Sequence, residues 1–245
     1  MRIRMGRALT LGSALAFGAL GAGAVVSAVT AVGHGGQASC GPRRAQTLVA
    51  DRVARIYGIR TGKNAVLYQG GPHWALYNYY GCAVGSGRSE LLARASFSAP
   101  RVDRCHAAAY LDCVRGIRLV GTIVGYIADA GELDTSNGTL TVRDLTTKSV
   151  LHTERTSFQQ PDLGQSIIRF VLARSGDIAW VTRTASGGPL PGDNGPAGSS
   201  TIRRAIGQTV DTLDSGRGIV ASSLRLRGGT VEWTDGGQQR TASLH

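Results

Sequence analysis

The sequence predicts an all-β chain behind an apolar, uncharged N-terminal segment, and three observations carry that prediction. Apolar residues alternate with polar ones in short runs after residue 47, and Gly-rich turns punctuate those runs. Long helical periodicity is absent beyond the first forty residues. Finally, each of several β-branched runs ends in an aromatic: Val53 to Tyr57, Ile123 to Tyr126, Ile178 to Trp180 and Val231 to Trp233. The chain has 245 residues, 42% of them hydrophobic and 18% charged, which excludes wholesale disorder. Its 35 glycines do not recur every third position, so collagen is excluded as well. A single segment is long and apolar enough to cross a bilayer, which excludes a multi-span membrane protein.

That segment comes first. Arg2, Arg4 and Arg7 precede an uncharged run from Ala8 to Gly33 built of Ala, Gly, Val, Leu and Ser. This is the plan of an export signal over residues 1–31, with small-residue exits at Val29-Thr30-Ala31 or Ser27-Ala28. Arg43 and Arg44 follow the apolar run, where a twin-arginine signal would need them ahead of it. The absence of Leu three residues before Cys40 argues against a lipoprotein signal. The alternative is an uncleaved anchor, the one route by which this chain would meet a membrane. A linker over 32–46 then leads into the all-β domain, 47–245. Either way the expected location is secreted or extracellular, associated with the cell surface.

Cysteine usage fits that compartment. Cys40, Cys82, Cys105 and Cys113 all follow the leader, and an even count in an exported chain reads as disulfides. Three connectivities are open, and Cys40–Cys82 with Cys105–Cys113 is the expected one. The second pair carries a condition, because His106 to Tyr110 has a helical look. On one continuous helix the two α-carbons would stand about 12 Å apart, beyond the ~7 Å reach of a bridge, so the helix must break before Cys113. No Cys-x-x-Cys or His-Glu-x-x-His pattern occurs, so no metal site is expected.

The hairpins come next, in order. Leu140 to Asp144 leads into the turn Leu145-Thr146-Thr147-Lys148, and Ser149-Val150-Leu151 returns. Ile178-Ala179-Trp180-Val181 follows the turn Arg174-Ser175-Gly176-Asp177. Leu224, Leu226 and Val231 alternate with Arg225, Arg227 and Glu232 around Gly228-Gly229, a half-buried hairpin. Aligned on their aromatics, at 57, 126, 180 and 233, the hairpins repeat at about fifty residues once an insertion over 96–116 is set aside. Four strands in such a period is the spacing of propeller blades, which stack because a lone four-stranded sheet cannot bury both faces. The expected units are Leu48 to Ala95, Ile117 to Arg169 and Phe170 to Gly218, with Ile219 to Leu244 supplying about half of another. The array is therefore either incomplete or four-bladed. A strand near Thr47 would complete the last sheet and close the ring; without it the ring is open, or the fold is a barrel or sandwich.

Arg118 to Tyr126, followed by Leu140 to Lys148, resembles a blade of TolB-type secreted β-propellers, in which a hairpin ending in an aromatic leads to a strand, an Asp-Leu-x-Thr-Gly turn and a final strand. Lys148 stands where that family usually has Gly. Leu76 to Leu92, with its Gly85-Ser86-Gly87 turn, and Ser223 to Leu244 look like degenerate copies. Over most of residues 45–245 the chain is similar to uncharacterised secreted propeller-like proteins of high-GC actinobacteria. The resemblance implies an architecture and no chemistry.

Motifs that would carry chemistry are few. Gly58-Ile59-Arg60-Thr61-Gly62-Lys63-Asn64 has the look of a phosphate loop, but its glycines are too close and no helix follows, so a hairpin turn is expected there. No Gly-x-Ser-x-Gly occurs; Ser166 reads as a strand start, and His152 as a solvent-facing residue on a strand. The loop Gly70-Gly71-Pro72-His73-Trp74 could line a funnel mouth, where His73 and Trp74 would contact a sugar or aromatic ligand. Ala185 to Ser200 is Gly- and Pro-rich and expected to be an exposed, flexible loop; its Asp193-Asn194-Gly195 falls short of a calcium loop. Asn137-Gly138-Thr139 matches a glycosylation acceptor and is expected in a hairpin loop.

The net charge is +11, and all but Lys63 and Lys148 of the 27 basic residues are arginines. Arg52, Arg55, Arg143, Arg174, Arg183, Arg225 and Arg227 are spread through the repeats without a run of five, so a generally basic exterior is the expected reading. The expected function is a binding or scaffolding role at the cell surface toward an unknown ligand, with no catalytic residues and no cofactor. Two alternatives differ in class. One is an extracellular enzyme acting on glycan or peptide, which needs acids such as Asp51, Asp112 and Asp129 to converge in a central funnel. The other is a polyanion-binding surface protein.

Overall fold

The alternating runs form fifteen strands, each antiparallel to its neighbours. The structure is a computed structural model that describes residues 40–66, 73–95, 112–132, 135–159, 162–193 and 195–245. The expected export segment lies outside the described residues. The first sheet is a meander of β1 (Gln46–Ala50), β2 (Ala54–Val66), β3 (His73–Ala83) and β4 (Ser89–Ala95) in chain order. An eight-stranded sheet holds two further meanders: β5 (Cys113–Val120), β6 (Ile123–Glu132), β7 (Thr135–Asp144) and β8 (Val150–Gln159), then β9 (Leu163–Leu172), β10 (Ile178–Thr184), β11 (Ser200–Ile206) and β12 (Thr209–Gly216). β8 and β9 join through two residue pairs, Phe158 with Gly164 and Gln159 with Leu163. The last sheet has three strands, β13 (Ile219–Arg227), β14 (Thr230–Asp235) and β15 (Gln238–Ser243). No sheet is closed, and the described residues contain no helix.

The aromatic repeat has a structural meaning. Tyr57, Tyr126, Trp180 and Trp233 each occupy the second strand of their own sheet or meander: β2, β6, β10 and β14. Turn chemistry accounts for the strand ends. Gly228 and Gly229 both take positive φ, 51° and 81°, between β13 and β14, the two-residue turn that suits the twist of a hairpin. Lys148 also takes positive φ, 61°, in the turn between β7 and β8. An L side chain is strained there, where a glycine would not be.

Three apolar layers hold successive units together. Ile56, Tyr79 and Ala83 of the first meander pack with Val124, Tyr126 and Leu145 of the second. Ile127, Leu140 and Val142 of the second meet Ile167, Phe170 and Trp180 of the third. Val181 and Ile202 of the third meet Leu224, Val231, Trp233 and Leu244 of the last sheet. Burying each such aliphatic side chain contributes about 1.5–3 kcal/mol. Close approach requires glycine at Gly125, where an added Cβ would stand 2.7 Å from Phe170. Among the described residues no apolar cluster joins the first sheet to the last.

The other face of the first meander is covered by its own N-terminal approach. Cys40 is bonded to Cys82 of β3, with α-carbons 5.8 Å apart, and both pack against Tyr57. Arg55 donates from Nη1 to Cys40 O at 3.0 Å and from Nη2 to Ala45 O at 2.8 Å, which fastens residues 40–45 across the sheet. Cys113 is disulfide-bonded as well; the Cys105 end of the second expected pair lies outside the described residues.

Several expectations are corrected. The strand near Thr47 is β1 and pairs with β2, Thr47 opposite Tyr57, so it does not complete the last sheet. The third unit begins at β9, Leu163, rather than at Phe170, because Gln165 to Arg169 already pair with β10. The segment Gly58 to Asn64 is not a hairpin turn. It is one continuous strand in which Thr61, Gly62 and Lys63 bulge opposite Leu76, with Gly62 at φ 77° and Thr61 Oγ1 donating to Leu76 O. Asn137 lies within β7 instead of a loop, and its Oδ1 accepts from Ser157 Oγ at 2.9 Å. Residues 113–116 of the expected insertion belong to β5.

Candidate functional site

Charged side chains recur at the contacts between successive units in one pattern. An acid on the fourth strand of one meander pairs with an arginine on the third strand of the next unit in the chain, and an aromatic on that unit's second strand lies at the same contact. At the first contact Glu90 (β4) pairs with Arg143 (β7) at 2.7 Å, and the Tyr126 hydroxyl (β6) donates to Leu92 O at 2.8 Å. At the second, Glu154 (β8) pairs with Arg203 (β11) at 2.5 Å, and the guanidinium lies 5.5 Å from the centre of the Trp180 ring (β10). At the third, Asp214 (β12) accepts from the Trp233 indole (β14) at 2.7 Å, with Arg240 (β15) 3.6 Å away. Trp180 stands directly opposite Arg203 in register, as Trp233 does opposite Arg240.

The second contact carries an extra group. His152 of β8 stacks obliquely on Trp180 with ring centroids 5.1 Å apart, so it does not face solvent as expected. Burial, and then the neighbouring Arg203 cation, push its pKa below the ordinary imidazole value. Burial raises the Glu154 carboxyl and outweighs the attraction of Arg203. The Trp180 ring is wholly buried and its Nε1 has no hydrogen-bond partner, nor does His152 Nε2 or Arg203 Nε. Another pair, Arg115 (β5) with Asp129 (β6), is bidentate and almost entirely buried on the arginine side. Arg143, Arg203 and Arg115 are therefore structural, and only part of the basic excess forms the exterior.

The acids that a funnel enzyme would need do separate work. Asp51 closes the β1–β2 turn, its Oδ1 accepting from the amides of Val53 and Ala54 at 2.8 Å each. Asp129 is held by Arg115. Asp112 precedes β5, where burial raises its pKa. His73 and Trp74 begin β3, paired with Val66 and Ala65, and so belong to a strand rather than a loop; their side chains lie outside the described residues. Tyr79, further along β3, is pushed up to about 12 by burial and by Tyr77. Among the described residues no group of three or more His, Cys, Asp or Glu could hold a metal ion.

Two depressions flank β9. One, of about 310 Å³, is walled by Ser166, Ile168, Phe158, Asp162, Arg183 and the loop after β10. That loop is tied down: Gly187 donates to Asp162 O and Ala185 to Gly164 O, both at 2.8 Å, and Ser199 is fully buried. Its glycines serve the backbone geometry, with positive φ at Gly188, Gly192, Gly195 and Gly198. The second recess, of about 220 Å³, opens between Arg169 of β9 and the strands β13 to β15. Sequence patterning shows neither recess, since each depends on strands brought together from different parts of the chain. No family profile, curated protein or solved structure matches the chain.

Proposed function

We propose that this chain is an exported, propeller-like protein that binds or scaffolds a component at the cell surface. Three four-stranded blades and a partial fourth stand in an open array, following the leader expected from residues 1–31. The observation that carries the reading is the recurrent acid–arginine–aromatic contact. It uses the chain's charged groups to fix one unit on the next, which is the economy of a rigid frame rather than of a catalytic centre. The disulfide between Cys40 and Cys82 supports an oxidising location.

The test is expression of the full chain in an exporting bacterial host, with protease shaving of intact cells. The processed protein is then incubated with surface-polymer extract. The expected result is surface exposure and co-sedimentation with polymer that remains unchanged. Retention in the cytoplasm would overturn the location, and release of shortened polymer would favour the glycan- or peptide-acting enzyme.

A further inference from the structure

We infer that the recess between β9 and the last sheet binds an anionic sugar ring, a carboxylated or sulfated unit of a polymer; this rests on the surface-binding reading above and specifies its site. The backbone here departs from a regular ladder. Val220 pairs with Thr234 and Arg225 with Glu232, so the four residues Ala221 to Leu224 of β13 face the single residue Trp233. An ordinary bulge adds one residue to one strand; this one adds three. The lost ladder bonds are replaced locally. Ser223 Oγ donates to Val220 O at 2.6 Å and accepts from Thr234 N at 2.8 Å. Arg169 reaches over from the third meander and donates from Nε to Leu224 O at 3.0 Å. That bond fixes the guanidinium at the recess wall, and no acid pairs with Arg169 among the described residues.

The charge and chemistry of the lining select the ligand class. Glu232 is covered by Arg225 and by the Gln239 amide, which donates to it at 3.4 Å. Two guanidinium groups thus stand against one carboxylate, and the recess is net cationic. A guanidinium fork matches the paired oxygens of a carboxylate or sulfate. Ser222, Thr234 and Gln239 supply the donors and acceptors that sugar hydroxyls need. At about 220 Å³ the recess is smaller than a drug-sized pocket and suits a single ring.

The experiment uses the processed protein and calorimetric titration with a glucuronate-containing tetrasaccharide, its carboxyl-reduced neutral counterpart, a sulfated tetrasaccharide and inorganic sulfate. The acidic sugars are expected to bind about tenfold or more tightly than the neutral one, as the loss of a charge-assisted bond implies. Preference between the carboxylated and sulfated probes then identifies the anion. Arg169→Gln is expected to weaken binding about tenfold. Because that substitution also removes the tether to Leu224, Ser222→Phe provides the second variant. It fills the recess from an exposed position and is expected to abolish binding. Equal binding of neutral and acidic sugars, displacement of the sugar by inorganic sulfate at equal concentration, or unchanged binding by Ser222→Phe would overturn the inference. A surface-exposed protein that holds polymer equally well with Ser222→Phe would refute this recess while leaving the surface-binding reading intact.

Discussion

The contacts around Trp180 and Trp233 place the same residue types in the same register, yet they satisfy them differently. Trp233 gives its indole hydrogen to Asp214, while Arg240 stands opposite it in the ladder. Trp180 is more deeply buried, but Glu154 goes to Arg203, and the indole hydrogen is left without a partner. A shared geometric pattern therefore does not ensure equal polar satisfaction. The shorter Asp214 meets the indole, whereas Glu154 meets the guanidinium, and His152 fills the space beside the ring.

Breaking the comparison outright should have the largest effect. Trp180→Ala is expected to cost about 3–5 kcal/mol, read by denaturant unfolding, because it removes the largest fully buried side chain between the second and third meanders. Phe substitutions separate packing from hydrogen bonding. Trp233→Phe deprives Asp214 Oδ2 of its indole donor and is expected to cost about 1–3 kcal/mol beyond its lost contacts. Trp180→Phe removes an already unpartnered donor, so its cost should be the smaller of the two; equal costs would show that the two indoles are equivalent, and the reverse order would overturn the comparison.

A gentler probe acts through the turn that delivers β8, with His152 and Glu154, to the Trp180 contact. Lys148→Gly relieves the positive φ at that turn and should stabilise by about 1 kcal/mol, seen as a higher Tm. The smallest effect is a pH dependence. A lowered His152 pKa means that the unfolded chain takes up a proton first, so stability is complete above the ordinary value of 6.5 and declines as pH falls below it toward the folded value. Glu154 acts in the opposite sense near and above its ordinary 4.5, since its raised folded pKa lets the native state protonate first. The difference between wild type and His152→Leu in Tm from pH 7.5 down to 5 isolates the imidazole. Parallel curves would show that His152 contributes nothing to the pH dependence.

The sheet class, the turns and the aromatic repeat are legible in the sequence because they are local. Two-residue alternation and Gly-rich turns depend on neighbours in sequence, and the aromatics on β2, β6, β10 and β14 share a spacing. The start of the third unit escapes that reading, although Pro161 and Asp162 are a turn signal between β8 and β9. The arginines of the acid–arginine contacts pass for an exposed basic surface because Glu90 and Arg143, or Glu154 and Arg203, meet only across sheets or meanders. His152 fails for the same reason: its burial comes from Trp180 of the following meander. Even the departure at Lys148 is visible as a residue and gains its meaning only from φ.

Because β1 pairs within the first meander, no strand near the start of the described chain waits for one made near its end. Each meander is contiguous in sequence and seals against the one before it. A chain emerging N-terminus first, from a ribosome or through a membrane pore, can therefore complete its structure in order of arrival. The Cys40–Cys82 bond closes within the first sheet, so covalent fixation needs nothing beyond β3 to have appeared. Exposed strand edges would then last only as long as the next forty or so residues take to arrive, about several seconds at ordinary synthesis rates.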